Sequence, residues 1–289
     1  MSLLFKLINL LLYSNAWIAL AATCSVWQSL LFISDAPISN FSYLLIFTFS
    51  STLFIYAIHR IQGLQKVSAF KAKGRYLVIS TFKSHIIIYA ILGAVGAAIS
   101  FLYLSWASKL SLIIPAFLSL GYVLPAFSRQ RRLRDIHFLK IFLIAIVWTW
   151  VGVVLPALET NFSFEQQAIW WMMLEKLLFI FAVTLPFDIR DLAIDQHTNV
   201  KTIPALLGAS KSKILAIASL VLMLVCCSLN VLSGLYQMQH FLAFVLHAIL
   251  TGFVIYAADK DRHDYYFTGI LDGTITLQFL MLHFTSLQM

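Results

Sequence analysis

Long apolar runs alternate with short polar segments along the chain. Nine runs approach or exceed the ~20 residues that an α-helix needs to cross the roughly 30 Å hydrocarbon core of a bilayer. They cover approximately residues 8–33, 41–58, 85–105, 109–127, 138–157, 167–187, 213–233, 239–257 and 266–286. The first run is too long for the apolar region of a signal peptide, so we expect it to remain in the protein. The pattern predicts an all-α integral membrane protein with nine transmembrane helices in a single domain, residues 1–289.

The composition agrees with a membrane protein. Of the 289 residues, 61% are hydrophobic and 11% are charged, whereas roughly half of a soluble domain is apolar. Cys24, Cys226 and Cys227 all fall inside apolar runs, where a thiol behaves as a small hydrophobic group. The cysteines therefore indicate neither a disulfide framework nor a zinc site.

Basic residues occupy alternate loops, and this asymmetry predicts the orientation of the chain, because Lys and Arg are retained on the cytoplasmic side. One set of loops holds Lys6, Arg60, Lys66, Lys71, Lys73, Arg75, Lys83, Arg129, Arg131, Arg132, Arg134, Lys140, Arg190, Lys201, Lys211, Lys213, Lys260 and Arg262. The opposite set holds only Lys109. We expect a cytoplasmic N-terminus and a C-terminus on the other side of the membrane, which is the inner membrane if the source is prokaryotic. Topology then explains the net charge of +8, so we predict no nucleic-acid binding and no protein partner.

Three carboxylates follow the sixth apolar run, in the segment FDIRDLAIDQHTNVKTIPALLG. Asp188, Asp191 and Asp195 are spaced i, i+3 and i+7, which places them on one face if the segment is helical. Three like charges repel unless a cation lies among them, and hard oxygen ligands suit Mg²⁺ together with substrate phosphates. The alternative is a solvated loop in which the acids pair with Arg190 and Lys201.

The same segment closely resembles the second aspartate-rich motif of the UbiA superfamily of intramembrane prenyltransferases. In that family D-x-x-D-x-x-x-D is followed by a turn and by K-T-(L/I)-P-x-x-x-G. The corresponding residues here are Asp188, Asp191, Asp195, Lys201, Thr202, Pro204 and Gly208. Asn199 stands in the turn, where the family commonly has Gly, and Asn tolerates a left-handed conformation better than most residues. The resemblance implies nine helices around a central cavity that opens to the membrane.

A membrane prenyltransferase is the function that the resemblance implies. It moves a prenyl group from a polyprenyl diphosphate to a lipophilic and, we expect, aromatic acceptor. Asp188, Asp191 and Asp195 are the implied ligands of a Mg²⁺ cofactor, and Asp191 and Asp195 are the implied catalytic residues. Metal and basic groups stabilise the leaving diphosphate, while an apolar cavity keeps water from the allylic cation.

The first aspartate-rich motif of the family, typically N-D-x-x-D-x-x-x-D, is missing. The matching stretch FIYAIHRIQGLQKV contains no Asp or Glu, and Tyr56, His59 and Arg60 share one helical face there. In one interpretation, Arg60 and His59 bind the diphosphate directly and only the second motif holds Mg²⁺. In another, the protein binds an isoprenoid or lipid without ionising it. A terpene cyclase on the same scaffold is the nearest enzymatic alternative.

Further basic residues belong to the predicted diphosphate site. The stretch GYVLPAFSRQRRLRD resembles the family's Y-x-x-P followed by a basic pair. Tyr122 is expected to contact the acceptor or to shield the cation with its ring. Arg129, Arg132 and Lys201 complete the predicted diphosphate-binding set, although retention of positive charge in the cytoplasm explains most of these arginines.

Polar residues inside the apolar runs are candidates for the cavity wall. Many family members carry a cavity-facing Asn in the first span, where this chain has Asn15. Asp272 lies well inside the ninth run, and an intramembrane acid is a functional candidate by default. With Tyr56 and Tyr122, these two residues form the predicted substrate-contacting set.

Overall fold

The protein is a helical bundle. The computed structural model describes residues 3–66, 82–124 and 132–287, and Arg129 lies outside them. The helices are α1 (Leu3–Tyr13), α2 (Ala16–Ile33), α3 (Ser42–Lys66), α4 (Lys83–Phe101), α5 (Trp106–Ser111), α6 (Ile113–Val123), α7 (Leu139–Thr149), α8 (Leu155–Glu159), α9 (Gln167–Arg190), α10 (Leu192–His197), α11 (Ile203–Leu232), α12 (Met238–Tyr256) and α13 (Asp272–Leu287). Shorter segments are the π-helical Trp150–Val154 and Tyr266–Leu271 and the 3₁₀ turns Ile38–Phe41 and Leu133–Asp135.

Helical segments that are long and apolar enough to cross a membrane number nine in the described part of the chain. They are Ala16–Ile33, Ile38–Gln62, Lys83–Phe101, Trp106–Val123, Leu139–Glu159, Gln167–Arg190, Ile203–Leu232, Met238–Tyr256 and Tyr266–Leu287. These spans confirm the predicted fold class and a multi-pass membrane protein. The side of the membrane on which each terminus lies stays a prediction.

The first apolar run forms two helices instead of the single helix predicted. The break between α1 and α2 lies at Asn15, whose φ of 70° is in the left-handed region. Asn adopts this conformation at a lower cost than most residues, which explains why an uninterrupted apolar run can still contain a helix break here. The Asn15 side chain is completely buried, and neither of its polar atoms has a hydrogen-bond partner among the described residues.

The bundle is arranged around α9, which packs against α7 and α11, while α2 packs against α3 and α13. Most of α9 is buried, including Phe179 and Leu185. The helix α4 packs mainly on α3 and leaves large apolar side chains such as Leu92 exposed. In a bilayer such a surface faces lipid, so exposure of these side chains carries no hydrophobic penalty.

One buried acid in the bundle core has a partner that the sequence did not reveal. Glu175 on α9 is almost completely buried, and its Oε2 accepts a hydrogen bond of 2.8 Å from the Tyr236 hydroxyl. A buried carboxylate without a donor is costly, so this bond stabilises the fold. Tyr236 lies between α11 and α12, 61 residues along the chain.

Candidate active site

A cavity of about 620 Å³ lies among the helices. Much of its wall is aliphatic or aromatic, with Phe47, Phe54, Trp148, Ile180 and Phe187 among the lining residues. The acidic, basic and histidine side chains that line it are His59, Arg60, Arg132, Arg134, Asp135, Lys140, Asp188, Arg190, Asp191, Asp195, Asp264 and Asp272. The cavity thus joins an apolar compartment to a group of acids and bases.

The aspartate motif lies on two helices. Pro186 lies inside α9, which continues to Arg190. Asp188 therefore lies on the last turn of α9, Asp191 forms the junction, and Asp195 lies on α10. All three line the cavity, which agrees with the prediction from their spacing that they share one face.

The turn after the motif is left-handed where the sequence predicts it, at Asn199 with φ 54°. Pro204 lies in the first turn of α11, where its missing N–H is tolerated. Gly208 interrupts α11 with φ 79°, a conformation that disfavours residues carrying a Cβ. The proline and the final glycine of the motif thus have backbone roles.

Lys140, near the start of α7, reaches two of the three aspartates. Its Nζ lies 2.7 Å from Asp188 Oδ1 as an ion pair and donates a 3.3 Å hydrogen bond to Asp195 Oδ2. All three side chains are buried, each being less than one-tenth exposed. Burial raises the pKa of Asp195 above its ordinary value, while the positive charge of Lys140 acts in the opposite direction.

Asp191, the aspartate that Lys140 does not contact, forms an ion pair with the adjacent Arg190. Arg190 Nε donates to Asp191 Oδ1 at 2.9 Å, and Arg190 Nη1 donates to Asp264 Oδ1, also at 2.9 Å. The guanidinium also lies over the ring of Phe187, 4.9 Å from its centroid. Of the two pairings predicted for a solvated loop, the one with Arg190 is present. Lys201 is exposed, does not line the cavity and forms no ion pair with a described residue.

Arg60 lines the cavity, but its terminal nitrogens bind the protein backbone. Nη1 donates to Tyr13 O at 3.2 Å and Nη2 donates to Leu12 O at 3.1 Å. These carbonyls belong to the last turn of α1, where helical partners are lacking. Arg60 therefore fastens the end of α1 to α3.

Arg134 is another arginine of the cavity wall, and the sequence did not single it out. Its guanidinium lies 5.1 Å from the centre of the Tyr122 ring, and Nη1 contacts His59 Nε2. Because a guanidinium only donates hydrogen bonds, His59 accepts through an unprotonated Nε2. In this arrangement the His59 ring orients the Arg134 guanidinium. Direct binding of a diphosphate by His59 stays a prediction. Among the described residues Arg134 has no ion-pair partner.

The structure brings most of the predicted site residues to the cavity. Those that line it are Tyr56, His59, Arg60, Tyr122, Arg132, Asp188, Asp191, Asp195 and Asp272. Arg132 is buried there in an ion pair with Asp135, at 2.8 Å. Asn15 is buried at the break between α1 and α2 and is not among the lining residues.

Lys140 and Arg134 were not predicted to line the cavity, because both were counted with the cytoplasmic basic residues. Lys140 lies inside the predicted fifth span, residues 138–157. An intramembrane lysine was a signal that could have identified it. Arg134 had no comparable signal among the arginines around it.

A helical membrane protein with charged residues at an apolar cavity is the class that this fold and site define. The sequence profile of the UbiA prenyltransferase family matches residues 79–266, more than half of the chain. The chain belongs to this family, whose members are membrane prenyltransferases. No curated protein sequence matches it.

Solved structures of UbiA proteins share the fold. A UbiA homologue from Archaeoglobus fulgidus bound to GPP and Mg²⁺ is 10% identical, with a TM-score of 0.67 over 96% of this chain and 99% of that one. A UbiA homologue from Aeropyrum pernix K1 is 15% identical, with a TM-score of 0.63 over 94% and 96%. A structure from work on digeranylgeranylglyceryl phosphate synthase is 14% identical, with a TM-score of 0.60 over 99% of both chains. At these identities the likeness shows the fold alone.

Proposed function

We propose that this protein transfers a prenyl group from a polyprenyl diphosphate to a lipophilic, aromatic acceptor. The observation that supports the proposal is the composition of the cavity wall. Apolar and aromatic side chains form one part, and the aspartate motif with Lys140 and Arg134 forms the other. Such a cavity suits a molecule with a long apolar chain and an anionic head.

In this proposal the diphosphate head group of the substrate binds next to Arg134. The face of Tyr122 and His59 Nε2 hold this guanidinium at the cavity wall, and a guanidinium binds phosphate oxygens through two parallel donors. When the allylic C–O bond breaks, its electron pair leaves with the diphosphate, so a fixed positive charge stabilises the developing anion.

The apolar part of the cavity suits the carbocation that remains. Phe54, Tyr56 and Trp148 line it, and an aromatic ring face attracts a cation. The acceptor ring attacks the cation to form a new C–C bond, then loses a proton to regain aromaticity. Asp191 and Asp195, the predicted catalytic residues, are carboxylates in the same cavity that can take up this proton.

Magnesium is the cofactor that the sequence predicts. Asp188, Asp191 and Asp195 offer the hard oxygen atoms that Mg²⁺ prefers. In the fold, however, Lys140 contacts two of these carboxylates and Arg190 contacts the third. Among the described residues no group of three His, Cys, Asp or Glu side chains is arranged to hold a metal ion. The residues as packed do not fit the ion, and the proposed reaction contains no step through it.

A pyrophosphate-release assay tests the proposal. The purified protein is incubated with prenyl diphosphates of several lengths, each with and without aromatic acceptors and with and without Mg²⁺. Release that depends on an acceptor supports transfer, and release without one indicates cyclisation or hydrolysis. We expect Arg134→Met to lose activity. Lys109→Met is the matched control, because Lys109 lies outside the cavity and donates to Leu102 O.

A non-catalytic isoprenoid-binding protein is the second candidate. The ion-paired state of the aspartate motif favours it, because carboxylates paired with Lys140 and Arg190 are less available to bind a metal ion. The absence of pyrophosphate release, with equal binding of a prenyl diphosphate and the matching alcohol, would identify this function.

A further inference from the structure

The ammonium group of Lys140 occupies the position between Asp188 and Asp195 in which a divalent cation would neutralise them. The sequence predicts that three like charges on one face need a cation among them. The cation that the fold supplies to Asp188 and Asp195 is an ammonium group of the chain, within 3.3 Å of an oxygen of each. For Mg²⁺ to bind between these two carboxylates, the buried ammonium would have to leave, because two positive charges at this distance repel.

The backbone around Lys140 is fastened directly to the motif segment. Phe138 N donates to Lys201 O at 2.9 Å, and Lys201 N donates to His137 Nδ1 at 3.1 Å. This pair of bonds joins the start of α7 to the turn that follows α10. Lys140, two residues beyond Phe138, is therefore held beside the aspartates by bonds that do not involve its own side chain.

The absence of the first aspartate-rich motif is consistent with neutralisation of the second motif by Lys140. A metal between two acidic motifs takes ligands from both sides, and the stretch around His59 offers no carboxylate. A tethered ammonium needs no such ligands. Arg134, which is oriented by His59 from that stretch, supplies a second fixed charge at the same cavity.

We propose that this protein binds the diphosphate group of its substrate without a divalent cation. Lys140 neutralises Asp188 and Asp195, which would otherwise repel the anion, and Arg134 contacts the phosphate oxygens. The inference rests on the proposed function, because it assumes that the head group in the cavity is a diphosphate.

The test compares geranyl diphosphate with geraniol as ligands of the full chain in lipid nanodiscs, in EDTA and in Mg²⁺. We expect the wild type to prefer the diphosphate and to bind it equally well in both buffers. Lys140→Met should lose about 30-fold or more of this affinity in EDTA. Mg²⁺ should restore it, because the variant leaves Asp188 and Asp195 without their ammonium. Lys109→Met should behave as the wild type.

The outcomes separate the inference from the proposed function. A wild type that binds the diphosphate only in Mg²⁺ would overturn the inference and leave the proposed function standing. Equal binding of diphosphate and alcohol in both buffers would remove the proposed function as well. If Lys140→Met does not fold, two other measurements decide. Lys140→Arg should keep the affinity in EDTA, and titration of the wild type with Mn²⁺ alone should show no saturable binding by electron paramagnetic resonance. Saturable Mn²⁺ binding, or loss of binding in Lys140→Arg, would contradict the proposal.

Discussion

Replacing Lys140 with methionine tests the ion pairs through stability, independently of any ligand. Its Nζ lies 2.7 Å from Asp188 Oδ1 and 3.3 Å from Asp195 Oδ2. These distances correspond to attractions of roughly 6 and 5 kcal/mol at an effective dielectric constant of about 20. Much of this attraction offsets the cost of removing three charges from water. The variant keeps the desolvation cost of both carboxylates and loses the attraction, so its free energy of unfolding should fall by about 3–5 kcal/mol.

The assay is thermal unfolding of the purified protein in detergent. Lys140→Met is compared with Lys140→Met/Asp188→Asn/Asp195→Asn, in which the uncompensated charges are also removed. We expect the triple variant to unfold at a higher temperature than Lys140→Met, because neutral amides are cheaper to bury than unpaired carboxylates. Lys109→Met is the control for the loss of a lysine outside the cavity.

Asp195 adds a pH dependence to this prediction. Burial raises its pKa and Lys140 opposes the increase, so the pKa in the folded variant should rise further above the value in the unfolded chain. A carboxyl group with a raised pKa binds its proton more tightly in the folded state, and stability therefore increases as the pH falls through that pKa. The deficit of Lys140→Met should be largest at neutral pH and smaller in mild acid. A variant as stable as the wild type at every pH would refute the argument.

Three further predictions concern the bundle and its orientation. Tyr236→Phe removes the 2.8 Å hydrogen bond that the buried Glu175 accepts and should cost about 1–3 kcal/mol of stability, measured as a lower unfolding temperature; an unchanged temperature would contradict this role. Gly93→Ala places a Cβ 2.8 Å from Ser50 O and should destabilise the α3–α4 contact in the same assay, whereas Gly252→Ala, with nothing within 4 Å, should not. Reporter fusions should find the two termini on opposite sides of the membrane, and two cytoplasmic ends would show that the number of spans is wrong.

The transmembrane helices were predictable because length and apolarity are local properties of a sequence. The break at Asn15 was not, since it depends on one left-handed residue inside an apolar run. The placement of Asp188, Asp191 and Asp195 on one face followed from their spacing, which holds although the segment is divided between α9 and α10. The local sequence pattern was therefore sufficient to predict features whose residues are close together along the chain.

The partner of the aspartate motif was not predictable in this way. Lys140 lies 55 residues before Asp195, and the contact depends on how α7 is fastened to the turn at Lys201. The same limit applies to Arg134 and His59, which are 75 residues apart. Which group neutralises a given charge depends on tertiary packing, and a single sequence does not reveal contacts between residues this far apart.

The final prediction concerns Arg60. Its two possible roles, binding the diphosphate and binding the carbonyls at the end of α1, predict different results for Arg60→Lys. If Arg60 binds the diphosphate, Arg60→Lys keeps the charge and should fall between the wild type and Arg60→Ala in affinity. In the structure Nη1 and Nη2 bind two different carbonyls, those of Tyr13 and Leu12.

A lysine has one nitrogen at the end of its side chain and is poorly suited to replace both bonds. We therefore expect Arg60→Lys to lower the unfolding temperature nearly as much as Arg60→Ala, while both variants keep the preference for geranyl diphosphate over geraniol. Loss of that preference in Arg60→Ala, with partial retention in Arg60→Lys and unchanged unfolding in both, would return the head-group contact to Arg60. Arg134 would then not be the head-group contact, because Arg60 would bind the diphosphate instead of the carbonyls at the end of α1.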